Sequence, residues 1–196
     1  MGRKSLKVER KAQILDAFER CIVQYGLDGT SLKQVADEAN VKRSIIRHYI
    51  GNRDDLVDAL IERIVRNYQK QLLELDASAE DMPAKHYLPQ VLDYLFRVER
   101  TSRPQNKIII DVLMVAQDRY PKAKGLLREL FKSITDSIAK DLIDAYPNAS
   151  EKQCQQVAYS IWCLSMSNGS MMWLGMDIVY NQSARASAEA LLKTLE

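Results

Sequence analysis

Apolar residues recur at steps of three and four along almost the whole chain, and that spacing restricts it to helices packed on helices. Ile14, Leu15, Phe18, Cys21, Ile22 and Tyr25 mark an amphipathic helix over residues 8–25. Leu56, Leu60, Ile61, Ile64, Val65 and Tyr68 mark a long one running to about residue 75. Only 7 glycines and 5 prolines occur in 196 residues, too few turn formers for a many-stranded sandwich. After a linker at 76–83, further helices are expected over 86–101, 105–118, 121–146, 150–175 and 182–195. Pro121 suits a first helical position, and Ser150 with Gln153 fits a capping box. The segment 107–115, rich in Ile and Val, would pass for a strand in isolation. No partner strand exists for it, so it reads as a buried helix. The expectation is an all-α protein of about nine helices.

Composition narrows the class. With 46% hydrophobic and 28% charged residues the chain reads as globular. Its net charge of +2 conceals an asymmetry. Residues 1–53 hold 11 basic and 6 acidic side chains, and the rest hold 17 and 20. A basic end on an otherwise acidic chain suits a polyanionic partner. Cys21, Cys154 and Cys163 are odd in number and sit among apolar residues, which reads as buried reduced thiols. The basic start leads into no apolar segment, so no secretory signal is expected and the location is read as cytoplasmic. The N-x-S matches at Asn148, Asn168 and Asn181 are then chance. Residues 157–176 carry no charge over a membrane-spanning length, but Ser160, Ser165, Ser167, Asn168, Gly169 and Ser170 make their centre polar. They read as a helix buried in a core or a dimer interface, with no membrane partner.

Residues 30–49 carry the functional signal. Ser31 with Gln34 fits a capping box opening a short helix over 32–39, with Val35 and Ala36 facing inward. Asn40 tolerates the left-handed backbone of a tight turn. A second short helix follows over 42–49, pinned by Val41 and Ile46, and Gly51 and Asn52 end it. Asn52 is expected to cap the long fourth helix, with Asp54 and Asp55 in its first turn. Two short helices joined by a tight turn form a helix-turn-helix, whose second helix lies in the DNA major groove. That helix must expose groups that hydrogen-bond base edges and phosphates. Lys42, Arg43, Ser44, Arg47 and His48 supply them, Tyr49 adds a ring with a hydroxyl, and Arg53 is placed to reach a flanking phosphate. Thr30, Ser31 and Lys33 on the first helix complete the candidate DNA-binding set.

The stretch TSLKQVADEANVKRSIIRHYIGNRDDLVDAL resembles the DNA-binding domain of the tetracycline-repressor (TetR) family of bacterial regulators. Thr30, Ser31, Val35, Ala36, Ala39, Val41, Ile46, Tyr49, Asn52 and Leu56 match the family pattern. Arg53 replaces its usual Lys, Asn40 its turn glycine and Ile50 its Phe. Arg47 stands where the family usually has Tyr, which alters a DNA contact. Within the family, Ile45, Ile46, His48 and Tyr49 most resemble regulators of choline-to-betaine metabolism. The resemblance implies a DNA-binding domain over 1–53 and a helical ligand-binding and dimerisation domain over 54–196. It also implies a homodimer through the last two helices, a palindromic operator and release by a small-molecule effector.

Each feature also has a plainer reading. The basic arm of Arg3, Lys4, Lys7, Arg10 and Lys11 is either a solvated tail or a DNA contact. Trp162, Met166, Met171, Met172, Trp173 and Met176 are core or interface residues in the first instance. Their thioethers and rings would also line an apolar effector pocket, for which Trp162, Met166, Trp173 and Met114 are the candidates. No H-E-x-x-H, G-x-S-x-G, G-x-G-x-x-G or Walker-type loop is present. His48 and His86 are the only histidines. No catalytic residue, metal site or cofactor is therefore expected. An activator, or a helical adaptor that binds protein, is the alternative to a repressor.

Overall fold

The computed structural model describes residues 3–77, 82–97 and 105–196, without the side chains of residues 3–5, 105, 106 and 173. The described residues form nine helices and no strand: α1 (Arg3–Gly29), α2 (Leu32–Glu38), α3 (Arg43–Tyr49), α4 (Arg53–Ala77), α5 (Ala84–Leu95), α6 (Gln105–Val115), α7 (Pro121–Ala145), α8 (Glu151–Trp173) and α9 (Ile178–Lys193). They pack as two compact units, residues 1–67 with 103–128 and residues 68–102 with 129–196.

In the first unit α1 packs against α2, α3 and α6. Its buried face is Ile14, Leu15, Ala17, Phe18, Cys21, Ile22 and Leu27, while Tyr25, expected on that face, is 46% exposed. The helix kinks at Gly26, whose φ of 72° lies in the left-handed region. A Cβ there would meet nothing within 4 Å, so backbone conformation rather than space selects the glycine. The first half of α4 supplies Leu56, Val57, Leu60, Ile61, Ile64 and Val65 to the core. Beside them Arg63 donates to Asp16 at 2.8 Å and to Glu19, itself only 3% exposed. Its Nε is buried with no hydrogen-bond partner.

The second unit buries Tyr87, Leu88, Val91, Leu92 and Phe96 at α5 and Leu130, Ile134, Ile138 and Leu142 along α7. Cys154, Ala158, Ile161 and Trp162 of α8 are buried too, and α8 packs on α9. Asn181 is 6% exposed and bonded at both ends of its amide: it accepts from Asn168 at 2.5 Å and donates to the Phe96 carbonyl at 3.0 Å. Cys163, expected to be buried with the other thiols, is only half-buried.

Helix ends differ from the spacing where caps decide. The α5 helix stops at Leu95 with Phe96 as its C-cap, short of the expected 101. The α6 helix stops at Val115, short of 118. The last helix starts at Ile178 rather than 182, because Asp177 accepts from the Val179 amide at 3.0 Å. Gly175, at φ 77°, separates α8 from that cap. No helix among the described residues is long and apolar enough to cross a membrane.

Candidate nucleic-acid interface

Local sequence sets the two short helices in place. Ser31 caps α2: its hydroxyl accepts from the Gln34 amide at 3.2 Å, and the Gln34 side chain accepts from the Ser31 amide at 2.7 Å. Such a cap contributes about 1 kcal/mol. Asn40 then takes φ 50°, so the turn expected to need a left-handed residue has one. The Val41 amide donates to the Ala36 carbonyl at 2.9 Å, and Gln13 of α1 donates to the Ala39 carbonyl at 2.7 Å. Val35, Ala36, Ala39 and Ile46 are all buried, which fixes how α3 rotates about its axis. Gly51 follows at φ 129°, where a Cβ would lie 2.1 Å from the Asp55 carboxylate. That carboxylate folds back to accept from the Asn52 amide at 2.8 Å, while Asn52 accepts from the Asp54 and Asp55 amides at 2.7 and 3.1 Å. The cap expected at Asn52 is therefore present.

With Ile46 inward, Lys42, Arg43, Ser44, Arg47 and His48 are exposed on α3 and at its N-cap, and Lys33 is exposed on α2. None of their side chains makes a hydrogen bond or ion pair among the described residues. The His48 and Tyr49 rings meet edge to face at 5.0 Å, with Tyr49 half-buried. Elsewhere several cations hold carboxylates. Arg20 holds Glu38 at 2.6 Å, Lys122 holds Glu62 at 2.7 Å, Arg119 holds Asp28 at 2.6 Å and Arg185 holds Asp93 at 2.7 Å. The Lys122 contact pulls the Glu62 carboxyl below its ordinary range. The outer face of α2–α3 thus concentrates positive charge that the fold leaves uncompensated.

Three candidates are engaged internally. Ser31 is exposed but its hydroxyl belongs to the cap. Thr30 is 3% exposed and its hydroxyl donates to the Gly26 carbonyl at 2.7 Å. Arg53, expected at a flanking phosphate, donates instead to the Tyr120 hydroxyl and to the Leu27 and Thr30 carbonyls, and lies 3.7 Å from Asp28. Arginine's fork spreads its donors over three nitrogens and so spans acceptors that a lysine's single ammonium would not. The roles of Gln13 and Tyr120 here had no local signal, since each meets its partner across a long loop of chain.

The four effector candidates are less unified. Trp162 is 9% exposed and packs on Phe131, ring centroids 5.4 Å apart. Met166 is half-buried one turn along α8, and Met114 is 47% exposed on α6 in the first unit. The Trp173 side chain lies outside the described residues. In the second unit Tyr87 donates to Asp76 at 3.1 Å. Burial, reinforced by the Asp76 charge, pushes the Asp141 carboxyl up to about 6.

Residues 14–60 match the family model for bacterial regulatory proteins of the tetR family. The chain is 35% identical over 83 residues to the HTH-type transcriptional regulator BetI of Burkholderia mallei (strain NCTC 10229), covering 42% of this chain and 43% of that one. It thus matches less than half the length of that relative. A second BetI, from Paraburkholderia xenovorans (strain LB400), is 27% identical over 78% of this chain and 77% of its own length. In fold, the chain is similar to a TetR transcription regulator from Haloarcula marismortui, with a TM-score of 0.80 and 14% identity over 95% of this chain and 98% of the other. These relatives are transcriptional regulators by name. The helix-turn-helix segment is thus similar to that of the tetR family of bacterial regulatory proteins, and the all-helical fold is shared with solved TetR regulators.

Proposed function

We propose that this chain is a DNA-binding transcriptional regulator, a homodimeric repressor that leaves a palindromic operator when a small molecule binds. The observation that carries this reading is the exposed, unpaired cationic face of Lys33, Lys42, Arg43 and Arg47 on the helix-turn-helix. A two-fold dimer would set two such faces in successive major grooves. DNA contact is assigned within residues 1–53, and dimerisation and effector binding within 54–196, a functional division distinct from the two packing units. Thr30, Ser31 and Arg53 serve the interface by holding α2 and α4 in place. The location that goes with this function is cytoplasmic.

The last two helices are the proposed dimer surface. Tyr159, Met171, Leu174, Ile178, Val179 and Tyr180 are large, apolar or aromatic and between 48% and 76% exposed there, which a second copy would cover. The effector is a small apolar or cationic molecule bound near Trp162 and Met166, with Trp173 as a further candidate. It releases DNA only by as much as it prefers the conformation that does not bind. No cofactor or metal enters this reading.

The test is selection of duplexes from random DNA by the purified protein, followed by binding of the winner against salt. An enriched palindrome whose log affinity falls with log salt at a slope near −0.9 per phosphate contacted supports the reading. Binding that is weak and unselective at every salt concentration overturns it in favour of a helical adaptor.

A further inference from the structure

The recognition helix is lopsided, and the asymmetry bears on which bases it reads. Successive residues of an α-helix turn by about 100°, so with Ile46 buried, Ser44 and His48 lie opposite the core. Arg43 and Arg47, four residues apart, then lie about 40° from each other on one flank, and Ile45 and Tyr49 occupy the other flank. Both arginines are exposed and hold no carboxylate among the described residues. Arg20, Arg53, Arg63, Arg66, Arg119 and Arg185 each hold one. Arg43 is the first residue of α3, the end of a recognition helix that meets base edges. A guanidinium fork matches the N7 and O6 acceptors of guanine with two parallel hydrogen bonds, and no other base offers two acceptors on its major-groove edge. Lys33 and Lys42 stand outside this flank as point charges suited to phosphates.

We propose that Arg43 and Arg47 each read a guanine, so that every half-site bound by this chain carries two G·C pairs. The two arginines rise about 6 Å along the helix and base pairs are stacked about 3.4 Å apart. The guanines therefore lie about two base-pair steps from each other. Ser44 and His48, on the face opposite the core, add contacts that discriminate less. The inference rests on the DNA-binding reading above and specifies its partner.

The experiment repeats the random-duplex selection with the intact protein and with R43A, R47A and R47K, alongside thermal unfolding of each. Parent winners with two G·C pairs at that spacing are the expected result. R47A should then lose preference at one pair and R43A at the other, each with roughly tenfold to hundredfold weaker binding to the winner. Unfolding midpoints should not move. R47K, keeping the charge without the fork, should keep most of the salt slope and lose the base preference. Winners without paired G·C positions overturn this inference and leave the DNA-binding reading intact. So does an R47A variant that binds all sequences equally weakly with a flatter salt slope, the mark of a phosphate contact. Absence of any selected duplex overturns the DNA-binding reading itself.

Discussion

Arginine does opposite work in two regions of the first unit. On the outer face of α3, Arg43 and Arg47 are exposed and hold no carboxylate among the described residues. Along α4, Arg53 holds the Leu27 and Thr30 carbonyls and the Tyr120 hydroxyl, and Arg63 holds Asp16 and Glu19. The same side chain is therefore an exposed charge in one place and a cross-brace in the other. What separates them is whether the fold brings acceptors to the guanidinium. A charge with internal partners contributes to stability and has little left for a phosphate. A charge without them costs the fold little and stays available.

Substitutions on either side should break in different ways. Arg63→Met should cost the most, about 3–5 kcal/mol by urea unfolding, because it leaves the buried Glu19 carboxylate without its counter-charge. A loss under about 1 kcal/mol would show that Arg63 is no brace. Arg53→Ala should cost about 2 kcal/mol through hydrogen bonds to a charged donor, with Arg53→Lys in between because lysine cannot span the same acceptors. Ser31→Ala, which removes the cap of α2, should cost about 1 kcal/mol in the same assay.

Asp141 sharpens the contrast from the other direction, as a charge placed where the fold disfavours it. Burial and Asp76 push its carboxyl up to about 6 from an ordinary 3.8. The folded state thus binds this proton more tightly than the unfolded chain does. Its contribution is most favourable below the ordinary value and is lost as pH rises through about 6. Asp141→Asn should flatten that decline and leave the protein at least as stable at neutral pH, with a gain below about 1 kcal/mol after solvent screening. Unfolding midpoints followed across pH 4 to 8 would check it, and an unchanged slope would refute the assignment. The smallest effect belongs to Arg43→Ala and Arg47→Ala, within about 0.5 kcal/mol of the parent in thermal unfolding. A larger loss would place them among the braces.

Much of the candidate site is legible because its signals are local. Ser31 and Gln34, Asn40, and Asn52 with Asp55 act within a few residues of themselves, and the structure shows each in the conformation its chemistry suggests. Ile46 is buried and Lys42, Arg43, Ser44, Arg47 and His48 are exposed, since helical period alone separates the two faces. The helix ends were less legible. Apolar spacing carries on past Leu95 and begins again only after Ile178, whereas the ends follow caps at Phe96 and Asp177. The Gly175 and Asp177 pair held that signal, in turn chemistry rather than in periodicity.

By itself the sequence determined the helices, the tight turn at Asn40 and the outward face of α3, because each depends on neighbours three or four residues away. Tertiary structure alone decided which charges are spent. Arg53 meets Tyr120 across 67 positions, Arg63 meets Glu19 across 44 and Arg119 meets Asp28 across 91. It also decided that residues 103–128 pack with 1–67 rather than with their neighbours in the chain. No periodicity encodes such pairs, since a side chain's partner at that separation is fixed by how whole helices dock and not by the residues beside it.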